Sequence, residues 1–373
     1  METTAQATEE FGAALRAADA AALAQLLAAD AALARTELDG VAPLLTLLRG
    51  PGRGDDVRAC VKLLLDEGAN PNAHTVEWGG EGIASVLFAA VDHGDPTLLR
   101  LLVDAGARPD DDAFYHACEQ SDTEILDLLY RKGFENLVNH KLDFEDAAGL
   151  RWFLERGVGV NANHCLHHAI SRGRGLDILT LLLDAGAEID TPWDRWDVGR
   201  RPLALAARCG HLAAYELLES RGATAELDDV DRAVLAVARG ESTELPAAPP
   251  PSLGNPCGTG YGWILGQFAL LGRTEIVANL LDSGLAVDTR GWSNFTPLDQ
   301  AAMHGRTETV RLLVDRGADL TDRAWDDGPT PLDCALWGYR NNRAADGDYR
   351  GTVDLLVAAK APTRYPDQIA TVD

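Results

Sequence analysis

The chain has 373 residues, 46% of them hydrophobic and 24% charged, with 33 Lys+Arg against 58 Asp+Glu for a formal net charge of −25. That composition is too apolar for a disordered chain and belongs to a folded protein. The acidic excess argues against DNA or RNA, whose phosphates need a basic stripe, and against anionic membrane surfaces; it favours partners with cationic groups.

At the start, Met1–Glu10 has neither a basic n-region nor an apolar core, so it does not read as a secretory signal. The first apolar stretch, Ala20 to Ala34, is broken by Gln25 and Asp30 and is too short to span a bilayer. Six cysteines (Cys60, Cys118, Cys165, Cys209, Cys257, Cys334) are scattered without a C-x-x-C pair. They read as reduced, mostly buried thiols, which predicts a cytoplasmic setting.

Along the chain one phrase returns: a Leu-rich helical run, then Gly-Ala, then an acidic or Asn turn. It occurs at Val61–Asn72, Leu99–Asp110, Leu179–Asp190 and Val310–Thr321. A second phrase precedes it, clearest in Thr296-Pro-Leu-Asp-Gln-Ala-Ala-Met-His-Gly305 and Thr330-Pro-Leu-Asp-Cys-Ala-Leu-Trp-Gly338, whose Thr-Pro pairs lie 34 residues apart. Pro at the first helical position lacks an N–H that would be orphaned anyway, and the Thr before it caps. Gly186 and Gly317 suit the left-handed turn that ends a helix. No single unit of this size can bury its own apolar face, so stacking must supply the stability.

These residues resemble the ankyrin repeat, with its Thr-Pro-Leu-His-x-Ala-Ala phrase, Leu-Leu second helix and Gly-Ala-Asp finger. The resemblance implies an all-α ankyrin-repeat solenoid of about ten helix-hairpin units with short finger loops, one solenoid over residues 1–373. The expected N-terminal cap is 1–40, with its helices at 8–40. Repeats are placed near 41–73, 82–110, 111–134, 137–160, 164–190, 200–225 and 229–246 in a first block (41–245), and near 260–289, 293–321 and 328–361 in a C-terminal block (260–363). Between the blocks, the Pro/Gly-rich stretch 246–259 is the expected kink. The units at 111–134 and 137–160 are short and that at 229–246 is degenerate; insertions fall at Arg49–Asp56 and Tyr339–Arg350. With Leu166-His-His-Ala-Ile170 and Asp348–Val353, these departures are similar to those of large bacterial ankyrin proteins, a group without a shared activity. The resemblance implies binding of other macromolecules through fingers and inner helices.

Catalytic and cofactor signatures are missing: there is no H-E-x-x-H, G-x-S-x-G, P-loop or C-x-x-C pattern, so no cofactor and no metal is expected. Two constellations remain. Five of the eight tryptophans fall in finger segments (Trp78, Trp193, Trp196, Trp292, Trp325), each close to acidic residues. A ring beside a carboxylate suits Arg, Lys or an alkylammonium group, and large aromatics are interface hot spots; the plainer alternative is that the rings fold back and clamp their own fingers. The second is a histidine column. His116, His140 and His168 occupy one position of three successive first helices, with Glu119 and Arg172 one turn on and His93 at that later position in the preceding unit. Imidazoles and a carboxylate on one patch are material for acid–base chemistry near neutral pH, although solvated helix-surface residues explain them too. Arg208, His304 and Trp337 complete a mixed groove floor.

Two functional expectations follow. The leading one is a non-enzymatic, monomeric recognition module for a protein or peptide with basic groups, held by the five finger tryptophans with His93, Arg172, Arg208, His304 and Trp337. The alternative is a binder of a small organic ligand, or an unconventional enzyme, using His116, Glu119, His140 and His168. Acidic mimicry of nucleic acid is a third, supported by net charge alone.

Overall fold

The computed structural model describes residues 2–77, 82–193, 199–242, 244–245, 262–291, 294–341, 344 and 346–372. It forms an all-α repeat solenoid in two compact units, residues Met1–Leu137 and Val138–Asp373. The expected kink at 246–259 lies outside the described residues.

The first unit contains α1 (Glu2–Ala17), α2 (Ala20–Ala29), α3 (Pro43–Leu48), α4 (Gly54–Asp66), a hairpin of β1 (His74–Glu77) and β2 (Gly82–Ser85), then α5 (Val86–Val91), α6 (Pro96–Asp104), α7 (Asp111–Ala117) and α8 (Thr123–Leu129). The hairpin is an antiparallel finger in which His74 pairs with Ser85. First helices stack in the series α1, α3, α5, α7 and second helices in the series α2, α4, α6, α8. The core is the strip between them, where Leu45, Val57, Val61, Leu64, Ala90, Leu99 and Leu102 are fully buried.

The second unit runs through α9 (Val138–Lys141), α10 (Ala147–Glu155), α11 (Cys165–Ser171), α12 (Leu176–Asp184), α13 (Pro202–Arg208), α14 (Leu212–Ser220) and α15 (Asp229–Ala238). It continues through α16 (Gly262–Leu270), α17 (Thr274–Asp282), α18 (Pro297–Met303), α19 (Thr307–Asp315), α20 (Pro331–Arg340) and α21 (Tyr349–Ala358). Among the described residues no second helix follows α15, the degenerate repeat of the sequence. Its Val234, Val237 and Ala238 instead join the core of the later repeats, against Ile264, Leu265 and Phe268.

Local chemistry sets these boundaries. Thr296 and Thr330 cap α18 and α20 reciprocally with Asp299 and Asp333. The acidic residues at helix starts act the same way: Asp95, Asp110, Asp122 and Asp146 each accept a backbone N–H of the helix they open. Gly186 and Gly317 close α12 and α19 at φ of +88° and +83°. Four residues after the helix-ending glycine, Asn72, Asn161, Asp190 and Asp288 each accept the backbone N–H of a residue in the next finger, at 2.8–3.1 Å. Fingers are thereby tied in register. The five cysteines described are buried, reduced thiols; burial pushes Cys60 up to about 11 and Cys165 up to about 12, which keeps them unreactive.

Candidate functional site

The finger tryptophans divide. Trp78, Trp196 and Trp292 lie outside the described residues. Trp193 overturns the expectation of a rim residue: it is only 6% exposed and stacks on His167, with ring centroids 5.3 Å apart. Its backbone N–H donates to Arg200 O (2.8 Å), and His167 Nε2 lies 3.2 Å from the same carbonyl. The ring thus packs against the repeat histidine at the base of its own finger.

Trp325 is different. It follows α19 in the finger before α20 and is 55% exposed, with Asp326 and Asp327 exposed beside it. The tip is nevertheless held: Gly328 N–H donates to Trp325 O (2.7 Å), Arg323 Nη1 to Gly328 O (2.7 Å) and Asn294 Nδ2 to Ala324 O. Its ring rests at 60° against Phe295, centroids 5.9 Å apart. An aromatic side chain fixed by its neighbours and still facing solvent is built for contact at little ordering cost. In the first unit, an open cavity of about 430 Å³ lies between the finger at 71–74 and the one at 108–112, bordered by His74, Arg108, Asp111 and Asp112.

The residues expected on a groove floor are committed internally. Arg208 is buried with its Nε 2.6 Å from Asp231 Oδ1, and Arg200 grips the same carboxylate at 2.8 and 2.9 Å. His304 is buried, its Nδ1 2.8 Å from Gln300 O and its Nε2 3.4 Å from Arg174 Nη2. Arg172 places Nε 2.7 Å from Asp143 Oδ1. These corrections share one cause: a polar side chain at a helix end in a stacked array meets the carboxylates and carbonyls of neighbouring turns before it meets solvent. Trp337 keeps partial exposure, with its ring 5.8 Å from Phe144. His93, in the first unit, sits 2.8 Å from Leu48 O through Nε2, and burial lowers its pKa.

Of the candidate acid–base set, the structure joins His140 and His168 through a residue that sequence reasoning missed. Asp143 receives His140 Nδ1 at 3.3 Å and His168 Nε2 at 2.9 Å. Burial alone would raise the Asp143 carboxyl, but these hydrogen bonds and the Arg172 charge outweigh it and hold the group well below the usual carboxylate range. Burial lowers the His168 pKa. The cluster therefore fixes one carboxylate as an anion and orients two imidazoles on it. His116 and Glu119 pair with each other in the first unit at 3.4 Å, the imidazole edge lying against Phe88. The i, i+3 spacing of His140 and Asp143 was the available signal; the 25-residue step to His168 was not. Among the described residues no three His, Cys, Asp or Glu side chains are placed to hold one metal ion, and no helix is long and apolar enough to cross a membrane.

Two family models agree with this architecture. Residues 87–192 match a family model of three ankyrin-repeat copies, and residues 298–343 match a second ankyrin-repeat model. Both segments are ankyrin repeats, and the chain is similar to ankyrin-repeat proteins. A solved ankyrin repeat domain, that of human ASB11, aligns at 21% identity over 73% of this chain and 98% of its own, with a TM-score of 0.24. No curated protein matches the chain. Ankyrin repeats are in general protein–protein interaction modules.

Proposed function

We propose that this chain is a non-enzymatic recognition module that binds a protein or peptide bearing cationic groups along its finger edge. Trp325 carries the reading: a large aromatic ring, 55% exposed on a hydrogen-bonded fingertip, flanked by Asp326 and Asp327. An Arg or Lys side chain laid on that ring would meet the carboxylates with its charge, and each such cation–π contact contributes on the order of 0.5–2 kcal/mol. The acidic cavity between the fingers of the first unit supports the same choice of partner, as does the net charge of −25. The buried, reduced thiols fit a cytoplasmic setting.

The weight falls on the fingers because the inner helices of the second unit spend Arg172, Arg208 and His304 on internal contacts. The test is co-purification from the native lysate of wild-type chain beside Trp325→Ala, followed by titration of the recovered partner at rising salt. Affinity should fall about tenfold in the variant and decline steadily with ionic strength. Equal affinity of the two proteins, together with indifference to salt, would remove the reading.

A further inference from the structure

The first helices of the second unit do not leave an open channel at every level. The turn after α11, residues 171–174, is seated on later repeats: Gln267 Nε2 of α16 donates to Ser171 O at 2.9 Å. Gly173 lies so close that a Cβ there would fall 2.4 Å from the Leu270 side chain. At the centre stands Arg174, 1% exposed, 130 residues from His304 in sequence and in contact with it in space.

Two histidines hold this arginine, and carbonyl geometry fixes the protonation of each. Gln300 O only accepts, so His304 Nδ1 carries the hydrogen of that 2.8 Å contact; its Nε2 is then a lone pair, accepting from Arg174 Nη2 at 3.4 Å. Arg174 O likewise only accepts, so His211 Nε2 donates to it at 2.9 Å. The remaining nitrogen, Nδ1, accepts Ala214 N–H at 3.4 Å and caps α14. Both rings are therefore neutral and both are buried. A second proton has no vacant nitrogen to occupy: on either ring it displaces a donor and adds a positive charge beside a buried guanidinium.

We propose that Arg174 is an acid-sensitive latch, which holds the 171–174 turn on α16 and α18 while His211 and His304 are neutral and releases it when they protonate. The other charged or titratable groups facing Arg174 are Glu145, whose Oε2 lies 3.4 Å from Nη1, Asp143, Arg172 and Tyr349. Asp143 is already shared by His140, His168 and Arg172, and Glu145 also accepts Gly175 N–H at 2.9 Å. Neither carboxylate is positioned to absorb two further charges. Burial lowers the His211 pKa, with the Arg174 charge acting in the same direction, so folding disfavours its cation and the associated stability is lost as pH falls below the ordinary histidine range. Release would bare the α16 and α18 side chains that the turn covers, Leu270 among them, without involving the finger edge.

Hydrogen exchange on the full chain between pH 7.5 and 5.0, with labelling times corrected for intrinsic rate, tests this. Peptides spanning 171–175 and 264–271 should exchange about tenfold faster at pH 5.0, while α19 and the far-ultraviolet circular dichroism stay unchanged. The double variant His211→Asn/His304→Gln keeps a donor and an acceptor at each place without a titratable ring, and should lose most of that acceleration. Exchange that is flat with pH, that rises together with loss of helix, or that persists in the double variant would overturn the proposal. If the variant does not fold, the imidazole C2–H resonances of wild type decide: two buried histidines must titrate with the midpoint of the exchange change, and midpoints that differ from it refute the latch.

Discussion

Asp299→Asn isolates the cost of placing a carboxylate where the ankyrin pattern has histidine. Asp299 is the third residue of α18 and is fully buried; its Oδ2 accepts from Thr296 N and Oγ1, both at 2.9 Å, and its Oδ1 faces Cys334 Sγ at 3.9 Å. Burial raises its pKa from the ordinary 3.8 to about 6, the hydrogen bonds from Thr296 opposing and the charge of Asp322 assisting. The folded protein thus holds this proton more tightly than the unfolded chain does. The stabilisation is complete below pH 3.8 and is lost as pH rises through about 6, an effect of about 3 kcal/mol at about 1.4 kcal/mol per tenfold in proton affinity. Asparagine keeps the acceptor for Thr296 and cannot ionise. In urea unfolding followed by circular dichroism from pH 4.0 to 7.5, Asp299→Asn should gain on wild type by up to about 3 kcal/mol across the range, with the two closest at pH 4. The comparison cancels every other titrating group. A difference that stays constant with pH, or that grows toward acid, would refute the argument.

Asp333 occupies the same position one repeat later and should behave in the opposite sense. Burial again works to raise it, but hydrogen bonds from Thr363 and the backbone of Thr330 and Arg364, with the Arg364 charge, hold it below the ordinary range. Asp333→Asn should therefore be less stable than wild type at pH 7, with the gap narrowing as pH falls through that lowered value in the same urea series. Arg208→Ala should lower stability by about 3 kcal/mol, the low end for a broken buried ion pair because Arg200 keeps both oxygens of Asp231; chemical unfolding reads this directly. Leu313→Ala, in the fully buried stripe of α19, should cost about 2–5 kcal/mol through cavity formation. Trp325→Ala should change stability by less than about 0.5 kcal/mol, which separates its effect on partner binding from misfolding.

The repeat phrase carried most of the fold into view. Thr-Pro caps, the Gly-Ala stop and the Leu-Leu second helix are local devices: α18 and α20 begin at their Thr-Pro pairs, and α19 ends just before Gly317-Ala318. Asp110 caps its helix within its own turn, which is equally local. The candidate site was less legible. Trp193 and Trp325 both sit in fingers with acidic neighbours, yet one ring finds His167 to stack on while the other rests tilted against Phe295 and faces solvent.

Periodicity determined by itself that this chain is a stack of helical hairpins, because each hairpin is specified by residues a few positions apart and cannot bury its apolar face alone. The destination of its charged side chains was decided only by tertiary structure. Asp143 gathers His140, His168 and Arg172, and Arg174 reaches His304 across seven intervening helices among the described residues. Such contacts depend on the path of the stacked array, which accumulates small rotations over many repeats. A buried charge must find its partner wherever that path brings one.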